Sequence, residues 1–435
     1  MALSKQPYKG ARDFYPEAKR LQKYMFGVWR QVAEQFGYEE YDGPILESLE
    51  IYLSKTSEEI VSGQTYAFAD RAGRQVVIRP EMTPTVSRMV AAKRQELVYP
   101  LRWYSIPNLW RYERPQRGRL REHWQLNVDI FGVAGIEAEL EMIMLVSAMF
   151  KAFGAGEDTY EIRLNSRQLM NFAFSKYLKL TQAESHDMSR LIDRMHKLEH
   201  SKFIAMVDSI CSPKAREAGV VEKLLALLSA GSLEELPQEL QGHDSIRELR
   251  KMFKQLNQAG ITNTRFDVSL MRGFDYYTDI VFEVFDTHPD NNRSMLGGGR
   301  YDGLVGLFGV APVPTVGFGW GDVTLANFLD LHHLLPDLKP ETDAYAAIIG
   351  DVAAAAAKPV AELRKAGINV AVDLSGRKLG DQLKAAAKKG LRFALIIGAS
   401  ELKTGKYKLK DLQSGTEKSL DLKQIAKSLK EQRRK

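Results

Sequence analysis

LRWYSIPNLWRYERPQRGRLREHWQLNVDIFG, residues 101–132, decides how the rest of the chain is read. It opens on an apolar run, 103–110, with the character of a buried strand. Charge then crowds into residues 111–121, where Arg111, Glu113, Arg114, Arg117, Arg119 and Arg121 follow one another closely. A second strand, 124–131, closes the stretch, its polar members Gln125, Asn127 and Asp129 alternating with apolar ones. Residues two apart on a strand share a face, so Gln125 and Asp129 can look into one cavity. Two strands joined by such a loop predict a hairpin that lays cations over a polyanion. An arginine-rich loop taken alone equally describes a solvated basic turn.

At 435 residues the chain is too long for one compact domain, and two or three are expected. Its 44 % hydrophobic and 27 % charged residues are ordinary for a soluble globular protein, which excludes the disordered and fibrous classes. There is no uncharged apolar run of about eighteen residues, so no membrane span is expected. MALSKQPYKGARDFYPEAKR lacks the apolar core of a signal peptide. The lone Cys211 excludes an internal disulfide, and no cysteine cluster suggests zinc; a cytoplasmic protein fits these features. The net charge of +6 is uneven: residues 401–435 hold eleven Lys/Arg against five Asp/Glu, so the excess lies there. A basic segment on a balanced body favours a polyanionic partner docking at that end. The terminal KEQRRK itself reads as a frayed, solvated tail.

Apolar residues Leu21, Tyr24, Met25, Val28, Trp29, Val32, Ala33 and Phe36 fall at three- and four-residue spacing, predicting a helix over 16–36. Pro16 suits its first turn and Gly37 its end. A strand-like YEEYDGPILE follows, then an alternating strand, QVVIRPEMT, over 75–83. Residues 136–153 read as a helix. Residues 167–260 form a long, charged, mostly helical segment whose clearest helices are LIDRMHKLE and IRELRKMFKQLNQAG. His196 and His200 there share a helix face by spacing, but nothing completes a metal site, and no metal ligand is assigned. Residues 265–285 read as strand, tight turn, strand, with Gly273 permitting the turn. GGGRYDGL, 297–304, is a glycine-rich hairpin, and 316–329 a strand running into a helix. PDLKPET, 336–342, is a linker. Beyond it strands and helices alternate, predicting a small parallel α/β domain. No G-x-G-x-x-G or GKS/T follows its first strand, which argues against nucleotide binding there.

RYERP followed by QRGRLREHWQLNVDIFG closely resembles motif 2 of the class II aminoacyl-tRNA synthetases, in the form carried by histidyl-tRNA synthetases. RPEMTP resembles the family's RPEGT segment, RGFDYYTDIVFE its RG-x-DYY signature, and GGGRYDGL its second histidine signature, so the likeness spans nearly the whole chain. The resemblance implies an α/β fold class: an α+β catalytic domain on an antiparallel sheet over 1–335, a helical insertion at about 167–260 touching the tRNA acceptor arm, and an α/β anticodon-binding domain over 336–435. The 16–36 helix, its following strand and Pro44 stand at motif 1, which implies a homodimer.

The implied reaction activates L-histidine with ATP to histidyl-adenylate and passes it to the 3′ end of tRNA(His). Glu81, Thr83 and Gln125 would hold the amino group, while Asp129 and Tyr277 would partner the ring nitrogens, with Tyr276 and Tyr301 beside them. Arg111 and Arg272 would face the α-phosphate as the catalytic pair, Arg272 also meeting the histidine carboxylate. Glu113 would lie near the adenine and Arg119 at the γ-phosphate, with Mg2+ on the β- and γ-phosphates. At motif 3 the chain departs from the family: Thr324 stands where an arginine is usual, and no arginine occurs between Arg300 and Arg364. The rivals are a catalytically inactive paralogue regulating ATP phosphoribosyltransferase, a tRNA-sensing module, and a proline- or threonine-specific relative. The first usually lacks the anticodon domain, the second has no use for the whole catalytic set, and the third lacks RGFDYY together with GGGRYDGL.

Overall fold

A computed structural model describes residues 3–53, 63–116, 118–271, 276–291 and 293–433. The chain separates into two compact units, Met1–Asp13 with Gln22–Leu335, and Phe14–Leu21 with Pro336–Lys435. The first is built on β1 (Glu39–Glu40), β2 (Leu101–Ser105), β3 (Glu122–Phe131), β4 (Tyr160–Ser166), β5 (Thr264–Phe266), β6 (Ile280–Asp286), β7 (Ser294–Arg300) and β8 (Thr315–Gly321). They lie in the order β1-β2-β3-β8-β7-β6-β4-β5, with Asn108–Trp110 also paired to β3. Every pairing from β2 to β4 is antiparallel, and only the edge strands β1 and β5 join in parallel. This is the α/β class with an antiparallel central sheet that the sequence led us to expect.

The alternation in β3 decides which face is which. Leu126, Val128 and Ile130 are buried on one side, together with Val316 and Trp320 of β8. Residues 22–35 of helix α1 (Pro16–Gln35) and helix α3 (Glu137–Ala152) cover that side, α2 being Thr83–Ala92. Trp320 packs 5.8 Å from Trp29 of α1 and 4.6 Å from Phe150 of α3, centroid to centroid. Truncating such a buried aromatic to alanine costs about 3–5 kcal/mol. The opposite face carries Gln125, Asn127 and Asp129, and it is left to the site. A smaller sheet of Leu46–Ser48, Gln75–Ile78 and Tyr66–Ala69 lies outside this one.

Several local expectations are corrected. The apolar run at 103–110 is not one strand: β2 ends at Ser105 and pairing resumes at Asn108. Pro107 has no N–H to donate, though its carbonyl still accepts from Gln125 N at 3.2 Å. The strand expected over 75–83 stops at Ile78, and α2 starts at Thr83, so Glu81 sits in the turn between them. Residues 265–285 form no hairpin, because β5 and β6 pair with opposite edges of β4. Gly273, expected to make the turn, lies outside the described residues. GGGR is no hairpin turn either, since Gly297, Gly298 and Gly299 are interior to β7. The helix read in LIDRMHKLE stops at Ile192, leaving His196 in a 3-10 turn and His200 at the start of another helix, so they share no helix face.

Residues 167–260 are mostly helical, with Gln182–Ile192, His200–Ile210, Val220–Leu228 and Asp244–Gln258 as the longer helices. In the second unit, β9 (Ala344–Ile348), β10 (Val370–Val372), β11 (Phe393–Ile397), β12 (Tyr407–Asp411) and β13 (Glu417–Leu420) form a sheet ordered β10-β9-β11-β12-β13. Its first three strands are parallel, as read, but β12 and β13 return antiparallel, so the sheet is mixed. Helices Ala353–Lys365 and Leu422–Arg433 bury Val360, Leu363, Ile425 and Leu429 against Leu395 and Ile397. The tail is no frayed end up to Arg433: it stays helical, and Arg433 Nε donates to Asp343 Oδ1 at 2.8 Å.

Candidate active site

Glycine at every second position forms the floor of the site. In the register, Gly317 of β8 stands opposite Asp129 of β3 and Gly299 of β7, while Gly319 stands opposite Asn127 and Gly297. A Cβ on Gly317 would overlap Asp129 Oδ1, and one on Gly319 would overlap Gln125 Nε2. At Gly299 it would come within 2.9 Å of Tyr277 Cδ1. Glycine inside a strand weakens it, and is found where another group must approach closely. Here the missing side chains make room for Gln125, Asp129 and Tyr277 to lie across the sheet. The spacing in GGGR and VGFGWG was the available signal, and reading the first as a turn concealed it.

Two adjoining cavities open on this floor. The smaller, of ≈ 110 Å³, brings together Glu81, Thr83, Gln125, Asp129, Tyr276, Tyr277 and Tyr301. The larger, of ≈ 220 Å³, is lined by Arg111, Glu113, Arg119, His123, Glu283 and Thr324 among others. Arg111, Gln125, Gly297 and Gly319 line both. Arg272 lies outside the described residues.

In the smaller cavity Glu81, Asp129, Tyr276 and Tyr301 are buried, and their polar groups are tied in pairs. Tyr301 Oη donates to Asp129 Oδ1, and Tyr276 Oη donates to Glu81 Oε2 at 3.5 Å. Burial pushes the Asp129 carboxyl up to about 7, with the Tyr301 bond acting in the opposite direction. The Tyr301 hydroxyl is raised well above its ordinary value, first by burial and then by the Asp129 charge. Gln125 Nε2 donates to Asn127 Oδ1 at 2.7 Å, which orients the amide; the sequence placed Asn127 on this strand but gave it no role. Tyr52 Oη donates to the Glu81 carbonyl at 3.2 Å and steadies the turn carrying Glu81.

Behind this wall, Arg300 is buried and fully engaged. It meets Glu139 with Nε at 2.6 Å and Nη2 at 2.7 Å, and donates to the carbonyls of Val133 and Gly135 at 3.0 and 2.9 Å. These contacts bind the end of β7 to the segment after β3, and so set Tyr301 against Asp129.

The larger cavity is built from looser parts. Arg111 Nε donates to the Pro80 carbonyl at 2.9 Å, holding the guanidinium at the junction of the two cavities. Arg119 pairs with Glu113 at 3.4 Å, yet its side chain is 58 % exposed. Gln116 and Arg119 exchange two backbone bonds of 2.9 Å around Gly118, whose φ of +77° favours glycine. Burial first, then the charges of Arg111 and Arg12, push the His123 imidazole down to about 3, which keeps it neutral; it too was missed in the sequence. Arg121 is not a cavity residue: it stacks 4.0 Å over Tyr112 and donates to Tyr8 Oη at 2.9 Å. Thr324 Oγ1 lies 2.8 Å from the Met295 carbonyl and 2.9 Å from that of Gly321, so backbone takes up its hydroxyl.

Among the described residues, no His/Cys/Asp/Glu group forms a metal-binding cluster, and no helix is long and apolar enough to cross a membrane. The family model for histidyl-tRNA synthetase matches residues 10–321, and that for the anticodon binding domain matches residues 344–432. The histidine–tRNA ligase of Leptospira biflexa is 43 % identical over 434 residues, covering 99 % of this chain and 98 % of that one. That of Opitutus terrae is 38 % identical over 425 residues, with 97 % of each chain covered. In fold, the crystal structure of histidyl-tRNA synthetase from Nostoc sp. PCC 7120 superposes with a TM-score of 0.81 at 24 % identity, covering 99 % of this chain and 100 % of that one. With antiparallel sheet, paired cavities and near-complete likeness together, the chain belongs to the histidyl-tRNA synthetase family.

Proposed function

We propose that the chain activates L-histidine with ATP and transfers it to the 3′ end of tRNA(His), with the smaller cavity taking histidine and the larger one ATP. The observation that carries this reading is the junction: Arg111 and Gln125 line both cavities, so a carboxylate in one and an α-phosphate in the other would meet there. A histidine carboxylate oxygen attacks the α-phosphorus, the bond to pyrophosphate breaks, and histidyl-adenylate remains. A 3′-terminal hydroxyl of the tRNA then attacks the carbonyl, losing its proton as AMP departs. The first step needs no general base, since the carboxylate is ionised at neutral pH. What the residues supply is alignment and charge stabilisation.

In this reading Asp129 and Tyr277 partner the two ring nitrogens, with Tyr301 and Tyr276 orienting the pocket. Glu81, Thr83 and Gln125 take the ammonium group. Arg111, opposed by Arg272, holds the α-phosphate, and Arg119 reaches the far phosphates once it leaves Glu113. Glu113 and Glu283 line that cavity, and their hard carboxylate oxygens would hold an Mg2+ accompanying ATP, which would neutralise phosphate charge. A pocket that hydrogen-bonds both ring nitrogens rejects apolar amino acids by a factor on the order of 10⁴.

We assign residues 1–335 to the catalytic domain, with the insertion at about 167–260, and 336–435 to the domain that reads the tRNA anticodon. Ile45 and Leu46 next to Pro44, and Phe68 on the same small sheet, expose large apolar side chains, which supports a homodimer through that sheet. A cytoplasmic location goes with this reading. The inactive-paralogue alternative is disfavoured, because Glu81, Arg111, Gln125, Asp129 and Arg272 are all present in the sequence beside a match to the anticodon domain. The test is ATP–pyrophosphate exchange by the purified protein across the twenty amino acids. Exchange with histidine alone is expected; none with histidine, or more with another amino acid, overturns the assignment.

A further inference from the structure

Motif 3 adds no cation to the larger cavity, because Thr324 stands there. Among the described residues lining it, Arg111 and Arg119 balance Glu113 and Glu283, and Thr324 brings no charge. The triphosphate of ATP remains anionic with Mg2+ bound, and a further cation beside these groups would hold it better. Thr324 does something else: its hydroxyl bonds the Met295 carbonyl at 2.8 Å, fastening the start of β7 beside the cavity. Ser294 and Met295 both line that cavity, and the residue before them is Arg293. Its Nη2 donates to Gln116 Oε1 at 3.2 Å, and Gln116 belongs to the same tight turn as Arg119. Arg293 therefore reaches across to the turn that carries Arg119.

We propose that Arg293 supplies the cation missing at motif 3, binding the pyrophosphate end of ATP opposite Arg119. This rests on the reading of the larger cavity as the ATP site. The Gln116 amide is a neutral acceptor, and a guanidinium gains more from phosphate oxygens, so the bond to Gln116 yields to ATP. Thr324 positions the segment from which Arg293 projects, and the two residues divide the work of one motif 3 arginine.

The experiment compares Mg–ATP and AMP binding by the full-length protein, with histidine-dependent pyrophosphate exchange run in parallel. Arg293→Ala is expected to weaken Mg–ATP by about ten- to a hundredfold while AMP stays within about twofold, since AMP lacks the far phosphates. Gln116→Ala removes this one neutral acceptor and should leave Mg–ATP within about threefold. Equal losses for ATP and AMP in Arg293→Ala, or a loss in Gln116→Ala matching it, would mean that Arg293 merely braces the loop, and would overturn the proposal. Exchange by the parent with no ATP-specific loss in Arg293→Ala strikes the Arg293 assignment alone. An ATP-specific loss with no histidine-dependent exchange in the parent strikes the histidine reading and leaves Arg293 standing.

Discussion

In the smaller cavity Asp129, Tyr301, Glu81 and Tyr276 are buried and bonded to one another, whereas in the larger one Arg119 leaves 58 % of its side chain in solvent against a single carboxylate. The first set is carried mostly by central strands or by segments pinned to them, the second by turns. Selecting one amino acid from twenty requires donors and acceptors fixed before the ligand arrives, because a mobile group would re-pair with the wrong ring. Gripping a triphosphate and then releasing pyrophosphate requires charge that can approach and withdraw. The two cavities share a floor and differ in how tightly their walls are held.

Asp129→Asn is expected to break that contrast most severely. It should lower kcat/KM for histidine by a factor on the order of 10³ or more in pyrophosphate exchange, with ATP binding unchanged. A loss smaller than about tenfold would mean that the fixed wall does not do the selecting. Arg300→Met tests where the stiffness comes from. It leaves Glu139 buried without its partner, which costs about 3–5 kcal/mol of stability, read by denaturant unfolding. The double change Arg300→Met/Glu139→Leu should recover most of that loss; if it does not, the carbonyls of Val133 and Gly135 are the true anchor. Arg119→Ala probes the loose wall, and kcat/KM for ATP should fall about ten- to a hundredfold with histidine binding little changed. An effect within about twofold would place the far-phosphate contact elsewhere.

The contrast also explains which features could be read from sequence. The face shared by Gln125 and Asp129 follows from period-two alternation in a single strand, and the antiparallel fold class and family follow from dense local motifs. The failures lie where partners are remote in the chain. Nothing local in 265–285 says that Tyr160–Ser166 separates its two strands, and nothing in GGGR says that it faces Gly317 and Gly319 across a register. Arg121 sits among arginines that look alike in sequence, yet aromatic contacts with Tyr8 and Tyr112 remove it from the cavity. His123 falls just before the strand read over 124–131, and nothing local marks it until its half-buried place near Arg111 and Arg12 is seen. Asp129 is similar: its position was legible, but its altered acidity comes from burial in the folded sheet, tempered by a bond from Tyr301, 172 residues away.

That altered acidity gives the last and smallest test. Because burial lifts the Asp129 carboxyl to about 7, an empty site at neutral pH holds a mixture of carboxyl and carboxylate. For the empty protein the sign is plain. A folded-state value above the ordinary carboxylate range contributes stability below about pH 4 that is lost as pH rises through 7, and Asp129→Asn removes this slope. For histidine binding the sign reverses, because an imidazole N–H needs the carboxylate as acceptor and the free ring itself loses its proton near pH 6.5. With both protons required to leave, affinity at pH 6.5 should be about sevenfold weaker than at pH 8. Tyr301→Phe sharpens the test. Removing a donor that favours the carboxylate raises Asp129 further, so the decline should begin at higher pH and become steeper across the same interval. Calorimetric titration of histidine at a series of pH values reads both proteins directly. A flat profile in the parent, or an unmoved one in Tyr301→Phe, would show that the ring is read through another pair of groups, with Tyr277 and Glu81 next in line.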